Sequence, residues 1–223
     1  MKTRHPQPTV FITDQCEITH TTIKDSIKSA NLKVVSYYMG CAFLKNYQPN
    51  QPSCLLLNLY LPDMTGLELH QHLLAKQIEL PVIILASNAD VSIAVKAMKA
   101  KVFDFVEKPF NNEQLKRRIQ KAIQFDTRTH CQAAHKQRLL ACLETLTARQ
   151  QDVMTEILQG KSNKTIAQKL GIGKRTVEDH RICVMKKMGA KHLVELVHIA
   201  LFCGLVPEPC KLICEHCELE NRK

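Results

Sequence analysis

Two apolar runs, Cys54–Leu59 (CLLLNL) and Pro81–Ala86 (PVIILA), constrain the fold more than any other feature of the chain. A strand with one face in water alternates apolar and polar residues, whereas a run without alternation reads as a strand buried on both faces. Shorter strand-like segments at Thr9–Thr13, Lys33–Tyr37 and Phe103–Glu107 bring the set to five. Helical patterns at Thr22–Ala30, Leu67–Ala75, Ile93–Lys99 and Glu113–Gln124 stand between and after them. Strands alternating with helices predict an α/β doubly wound parallel sheet of five strands over residues 9–124. In such sheets functional groups gather at the C-terminal ends of the strands.

Residues 125–145 are polar and lack Pro and Gly, which predicts a linker helix. Residues 146–205 show only helical periodicity, so a small all-α domain follows the α/β one. From 206 to 223 the chain turns to Pro, Cys and charge, a loose tail. A length of 223 residues suits two modest domains. No apolar run approaches the ~18–20 residues that a bilayer requires. The start Met1-Lys2-Thr3-Arg4 is basic, but no apolar stretch follows it, so no signal peptide is expected. The expected compartment is therefore the cytoplasm. Cys16, Cys41, Cys54, Cys142, Cys183 and Cys203 sit singly in apolar or helical segments, where a cytosolic protein uses cysteine as a small hydrophobe.

The all-α segment carries the chemistry of a nucleic-acid reader. Thr147 is a helix N-cap, and Gly160 suits the end of the helix it opens. Ser162 or Asn163 caps a second helix, Lys164–Leu170, and Gly171-Ile172-Gly173 forms a short turn. A third helix runs from about Lys174 to Met188. A short helix, a three-residue turn with glycine and a longer helix spell a helix-turn-helix. Lys161, Lys164, Lys169, Lys174, Arg175, Arg181, Lys186, Lys187 and Lys191 crowd these elements. On charge and periodicity alone, a solvated pair of basic helices fits as well. The net charge of +10 favours a polyanionic partner. Aromatic residues make up only 5% and tryptophan is absent, which favours double-stranded DNA over a base-stacking single-strand site.

The stretch LTARQQDVMTEILQGKSNKTIAQKLGIGKRTVEDHRICVMKKMGAK (146–191) resembles the LuxR-type helix-turn-helix over its whole length. The resemblance implies a bacterial transcription regulator. It places Glu178, Asp179 and Ile182 at positions that face bases, and Asn163, Lys164, Lys174, Arg175, Thr176 and Arg181 at positions that suit phosphate. A Glu or Asp can accept from cytosine but also repels phosphate. Val177 and Val184 are expected in the core. Gln150 stands where the family usually has Glu, exchanging a charged hydrogen-bond partner for a neutral one at little cost.

LPDMTGLEL (61–69), ADVSIAVKAMKA (89–100) and DFVEKPF (104–110) make residues 9–124 resemble a response-regulator receiver. The chain is similar to FixJ-like regulators over nearly its full length. Working receivers move a phosphoryl group onto an Asp beside Mg²⁺ held in an acidic pocket. Here the phosphoacceptor position is Asn58 and the paired acidic position reads Asp14-Gln15. The Thr/Ser switch position is Ala86, with Ser87 adjacent. Lys108 before Pro109 is intact, and Phe105 keeps the switch aromatic. The losses at Asn58 and Gln15 remove two negative charges beside Lys108, so the Mg²⁺ site should be weak or absent. The resemblance thus implies a pseudo-receiver, controlled without aspartyl phosphorylation and needing no cofactor. Asp63 is shared with active receivers and needs no special role. Deamidation of Asn58 is slowed by the following Leu59. Receivers commonly dimerise through a face that here falls at Val91–Lys99 and Val102–Val106; without a working pocket that face is fixed rather than switched.

The tail offers Cys210, Cys214, His216 and Cys217 within eight residues. Cys and His suit tetrahedral Zn²⁺, but adjacent His216 and Cys217 cannot both ligate easily. A metal site, a redox-sensitive thiol cluster and a tail without a role all stay open. The leading function is a DNA-binding regulator, homodimeric through the receiver or the DNA-binding domain, with RNA polymerase a further candidate partner and no membrane partner. Two readings stand against it: a phosphorylation-driven response regulator, and a protein-interaction adaptor that no longer reads DNA. No catalytic triad or nucleotide loop points to an enzyme.

Overall fold

In the computed structural model, which describes residues 7–48, 51–87, 95, 97 and 99–206, five strands form one parallel sheet in the order β2-β1-β3-β4-β5. They are β1 (Thr9–Thr13), β2 (Lys33–Tyr37), β3 (Ser53–Asn58), β4 (Val82–Ser87) and β5 (Asp104–Lys108). The register pairs Phe11 with both Val35 and Leu55, Leu57 with Ile84, and Ile84 with Phe105.

The apolar runs divide residue by residue between the two faces. Val10, Ile12, Cys54, Leu56, Ile83 and Leu85 point to one side, where they meet Ile23 and Ile27 of α1 (Glu17–Ile27). Leu115, Ile119 and Ala122 of α4 (Asn112–Glu144) close that layer. Phe11, Leu55, Leu57, Val82 and Ile84 point to the other side, against Phe43 of α2 (Gly40–Asn46) and Leu69 and Leu73 of α3 (Gly66–Ala75). Burial on both faces is why the central strands show no alternation.

Several elements begin or end away from the positions that the sequence predicts. The helix expected at Thr22–Ala30 starts at Glu17 and ends in a 3-10 turn, Lys28–Ala30. Its N-cap is Cys16, which makes no side-chain cap, so the usual Ser/Thr/Asp/Asn signal is missing. Instead the Asp14 carboxylate accepts from the Cys16 N–H at 2.9 Å. The stretches 113–124 and 125–145 are one helix, α4, since nothing between them breaks it. Of the helix expected at Ile93–Lys99, Val95, Ala97 and Lys99 are helical and the other positions lie outside the described residues.

The chain forms two compact units that divide between Cys131 and Gln132. The second holds the end of α4, then α5 (Ala148–Leu158), α6 (Asn163–Leu170), α7 (Lys174–Met188) and α8 (Leu193–Cys203). Thr147 caps α5 in a capping box with Gln150, and the Ser162 hydroxyl accepts from Thr165 N–H to cap α6. Gly171 ends α6 at φ 64°, a left-handed conformation that a side chain would strain. Val153, Ile157, Ile166, Val177, Val184 and Leu196 form the core of this unit. Among the described residues no helix is long and apolar enough to cross a membrane.

Candidate carboxylate pocket and nucleic-acid interface

The parallel sheet brings three sequence-distant residues to one end. Asp14 follows β1, Asn58 ends β3 and Lys108 ends β5. Asp14 is fully buried, and Lys108 Nζ lies 2.5 Å from its Oδ2. Its Oδ1 accepts from the Cys16 backbone at 2.9 Å and from Asn58 Nδ2 at 3.3 Å. Asn58 Nδ2 also donates to the Tyr60 carbonyl at 2.9 Å. Lys108 reaches Thr19 Oγ1 at 3.4 Å. Gln15 is exposed and Ala86 is buried in β4, leaving Ser87 as the exposed last residue of that strand. Phe105 is half-buried and packs on the α2–α3 side of the sheet.

This donor set can be tested against a divalent cation. Mg²⁺ demands several oxygen ligands in octahedral array, usually with one or two carboxylates. The pocket presents one carboxylate, and both its oxygens already accept from Lys108, Cys16 and Asn58. One carboxylate against one ammonium leaves no net negative charge to attract a cation. The residues present do not fit Mg²⁺. Among the described residues there is also no other group of His, Cys, Asp and Glu that could hold a metal.

Three supporting residues escaped the sequence reading. His20 is buried and donates from Nε2 to the Asp14 carbonyl at 2.8 Å, while Nδ1 meets Ser36 Oγ at 3.0 Å. A histidine on an otherwise ordinary helix face gives no sequence signal for that bond. Asp63, assigned no special role, accepts from the N–H groups of Gly40 at 2.9 Å and Cys41 at 2.7 Å, capping α2 from a distant loop. Burial works to raise the Asp63 carboxyl, but the Cys41 and Gly40 N–H groups outweigh it and hold it below the usual range. Gly66 opens α3 where a Cβ would stand 2.6 Å from the Asn58 carbonyl oxygen, so only glycine lets α3 sit this close to the strand end.

In the second unit the residues expected at DNA fall on α6 and α7. Lys174, Arg175 and Thr176 are exposed on the first turn of α7, whose N-cap Gly173 supplies no side-chain cap. Asp179 is exposed and Glu178 half-buried, the latter 3.8 Å from Lys174. Ile182 is 65% exposed, high for a large apolar residue in a basic helix. Val177 and Val184 are fully buried, as expected. Lys164 is exposed on α6. Arg181 and Asn163 are not independent, because Arg181 Nη1 donates to Asn163 Oδ1 at 3.2 Å.

Three of the crowded basic residues are held by the scaffold. Lys161 and Lys169 both grip the buried Glu156, at 2.6 and 2.5 Å. Lys187 donates to Gln150 Oε1 at 2.8 Å and to the Thr145 carbonyl at 2.7 Å. Spacing alone could not separate these from the exposed set, since all lie on basic helices. Cys210, Cys214, His216 and Cys217 lie outside the described residues.

Comparison with known proteins agrees with both halves. Residues 10–120 match the response regulator receiver domain family, and residues 144–200 match the luxR family of bacterial regulatory proteins. Over 199 residues the chain is 35% identical to the transcriptional regulatory protein FixJ of Rhizobium meliloti (strain 1021), spanning 89% of this chain and 98% of that one. It is 32% identical to the response regulator protein TmoT of Ectopseudomonas mendocina, over 85% of this chain and 86% of that one. The solved structure of the response regulator StyR aligns with a TM-score of 0.78 at 31% identity, covering 87% of this chain and 98% of StyR.

Proposed function

The chain belongs to the FixJ-like two-component response regulators, transcriptional regulators that join a receiver domain to a LuxR-type DNA-binding domain, and we propose that this member's receiver is degenerate and its DNA binding independent of aspartyl phosphorylation. The observation that carries the proposal is Asn58. It stands at the end of β3 with its amide donating toward Asp14, whose other oxygen is held by Lys108. Phosphoryl transfer to this position needs a nucleophilic carboxylate and a cation to shield charge as the phosphate arrives. An amide is a poor nucleophile, and a single carboxylate neutralised by Lys108 offers little to attract a divalent cation.

The DNA reading assigns α7 to the major groove. Ile182, exposed and apolar, suits a thymine methyl, and Asp179 and Glu178 suit cytosine N4. Lys164, Lys174, Arg175, Thr176 and the uncapped first turn of α7 suit phosphate. Arg181 keeps donors for phosphate beyond the one that Asn163 accepts. The regulator works in the cytoplasm as a homodimer on DNA, with RNA polymerase a further candidate partner.

Fluorescence anisotropy on genomic promoter fragments, at fixed salt, tests this reading. The affinity should be the same within about twofold with and without acetyl phosphate and Mg²⁺, and should fall steeply with salt. A tightening of about tenfold or more on treatment contradicts it. Arg175→Ala should lower the salt slope by about one on every sequence, whereas Ile182→Ala should relax preference at particular base pairs.

A further inference from the structure

The helical unit carries a groove that the DNA-facing residues do not use. Its volume is about 500 Å³, within the ~300–1,000 Å³ range of ligand pockets. Leu146 and Met154, both buried, and the half-buried Leu143 and Leu158 form its floor. The exposed Thr155 stands on its rim. No charged side chain is among the described residues that line it.

The chain itself leads into this groove. Helix α8 ends at Gly204 with φ 77°, and Leu205 N–H bonds back to the Ala200 carbonyl at 2.8 Å, which reverses the chain. The reversal sets Leu205 and Val206 against the groove as part of its wall. Residues 207–223 follow directly on Val206, so the groove meets them at an effective concentration of the order of millimolar. Their sequence suits it. Cys210, Ile213, Cys214 and Cys217 recur at the i, i+3, i+4, i+7 spacing of one helix face, while Lys211, Glu215 and His216 fall between them. Thiols behave as small hydrophobes when buried. The groove runs along about eight residues of α5, roughly 12 Å at ~1.5 Å per residue, and a few residues of tail span that distance.

We propose that the segment 207–223 of the same chain occupies this groove, laying the Cys210–Cys217 stripe on the Leu146–Met154–Leu158 floor. The tail cysteines are then a packing face of the DNA-binding unit rather than a metal cluster.

The test is alkylation of the full-length protein with iodoacetamide at one pH, with each cysteine followed by mass spectrometry. Cys131, exposed on α4, serves as the internal reference. Cys210, Cys214 and Cys217 should label about tenfold or more slowly, relative to Cys131, than in the urea-unfolded chain. Thr155→Arg puts bulk and charge on the rim from an exposed position, and should remove the protection without changing the helical circular dichroism. Gln159→Arg, also exposed on that rim, is the second variant should the first not fold. Equal labelling in the folded and unfolded chain overturns the proposal. Protection that survives both rim variants overturns it too. Protection that disappears on dilution assigns the groove to a second copy and overturns it equally.

Discussion

Lys108 Nζ stands 2.5 Å from Asp14 Oδ2, and Asp14 has no exposed side-chain surface. A buried carboxylate needs a counter-charge, since desolvating it alone costs several kcal/mol. In this protein a lysine from the last strand provides it, and the Asn58 amide adds a hydrogen bond at 3.3 Å. Both Asp14 carboxylate oxygens are thus partnered within the protein.

Removing the lysine should therefore strand the carboxylate. Lys108→Met should destabilise the receiver unit by about 3–5 kcal/mol, and adding Asp14→Asn should recover most of that loss. All four tyrosines, Tyr37, Tyr38, Tyr47 and Tyr60, lie in this unit, so their near-ultraviolet signal in a urea titration reports it separately.

Asn58→Asp reverses the electrostatics. The substitution replaces the amide donor to Asp14 and to the Tyr60 carbonyl with a second carboxylate. Like charges at this separation should cost about 1–3 kcal/mol without metal. Millimolar Mg²⁺ should raise the Tm of Asn58→Asp by several degrees and leave the wild-type protein unchanged; thermal melts with and without MgCl₂ check both.

The helical unit should be acid-sensitive through Glu156. Hydrogen bonds from Lys161 and Lys169 hold its carboxyl below the ordinary value of 4.5. A folded-state value below the unfolded one means that the interaction stabilises fully above about pH 4.5 and is lost as pH falls through the folded value. Amide exchange in peptides from 146–205 should accelerate more steeply below pH 4.5 in the wild type than in Glu156→Gln.

Much of this architecture was legible in the chain. The apolar runs gave the central strands to within a residue, because burial on both faces leaves an unmistakable pattern. Thr147, Ser162 and Gly171 marked helix ends because their chemistry acts locally. The start of α1 was missed because its first N–H is met by Asp14, a tertiary partner rather than a cap residue. The positions of Asn58, Asp14 and Lys108 came from motif resemblance, and their convergence follows from strand order. What no pattern disclosed was partnership over distance: Asp63 with α2, His20 with the Asp14 carbonyl, and Glu156 with two lysines that looked free for DNA.

Gln150 illustrates a substitution that the structure makes readable. It closes the capping box on Thr147 and accepts from Lys187 at 2.8 Å. Gln150→Glu turns the second bond into a charge-assisted one, and should stabilise the helical unit by about 0.5–1 kcal/mol. A rise in the urea midpoint of the far-ultraviolet helical signal measures it.

Intact-mass spectrometry tests most directly whether this receiver takes phosphate. The protein is incubated with acetyl phosphate and Mg²⁺ beside Asn58→Asp/Gln15→Asp, which restores both carboxylates. With Asn58 at the acceptor position, the proposal predicts no gain on the wild type. A stoichiometric, acid-labile gain of about 80 Da on the wild-type protein, the mass of one phosphoryl group, would contradict the account.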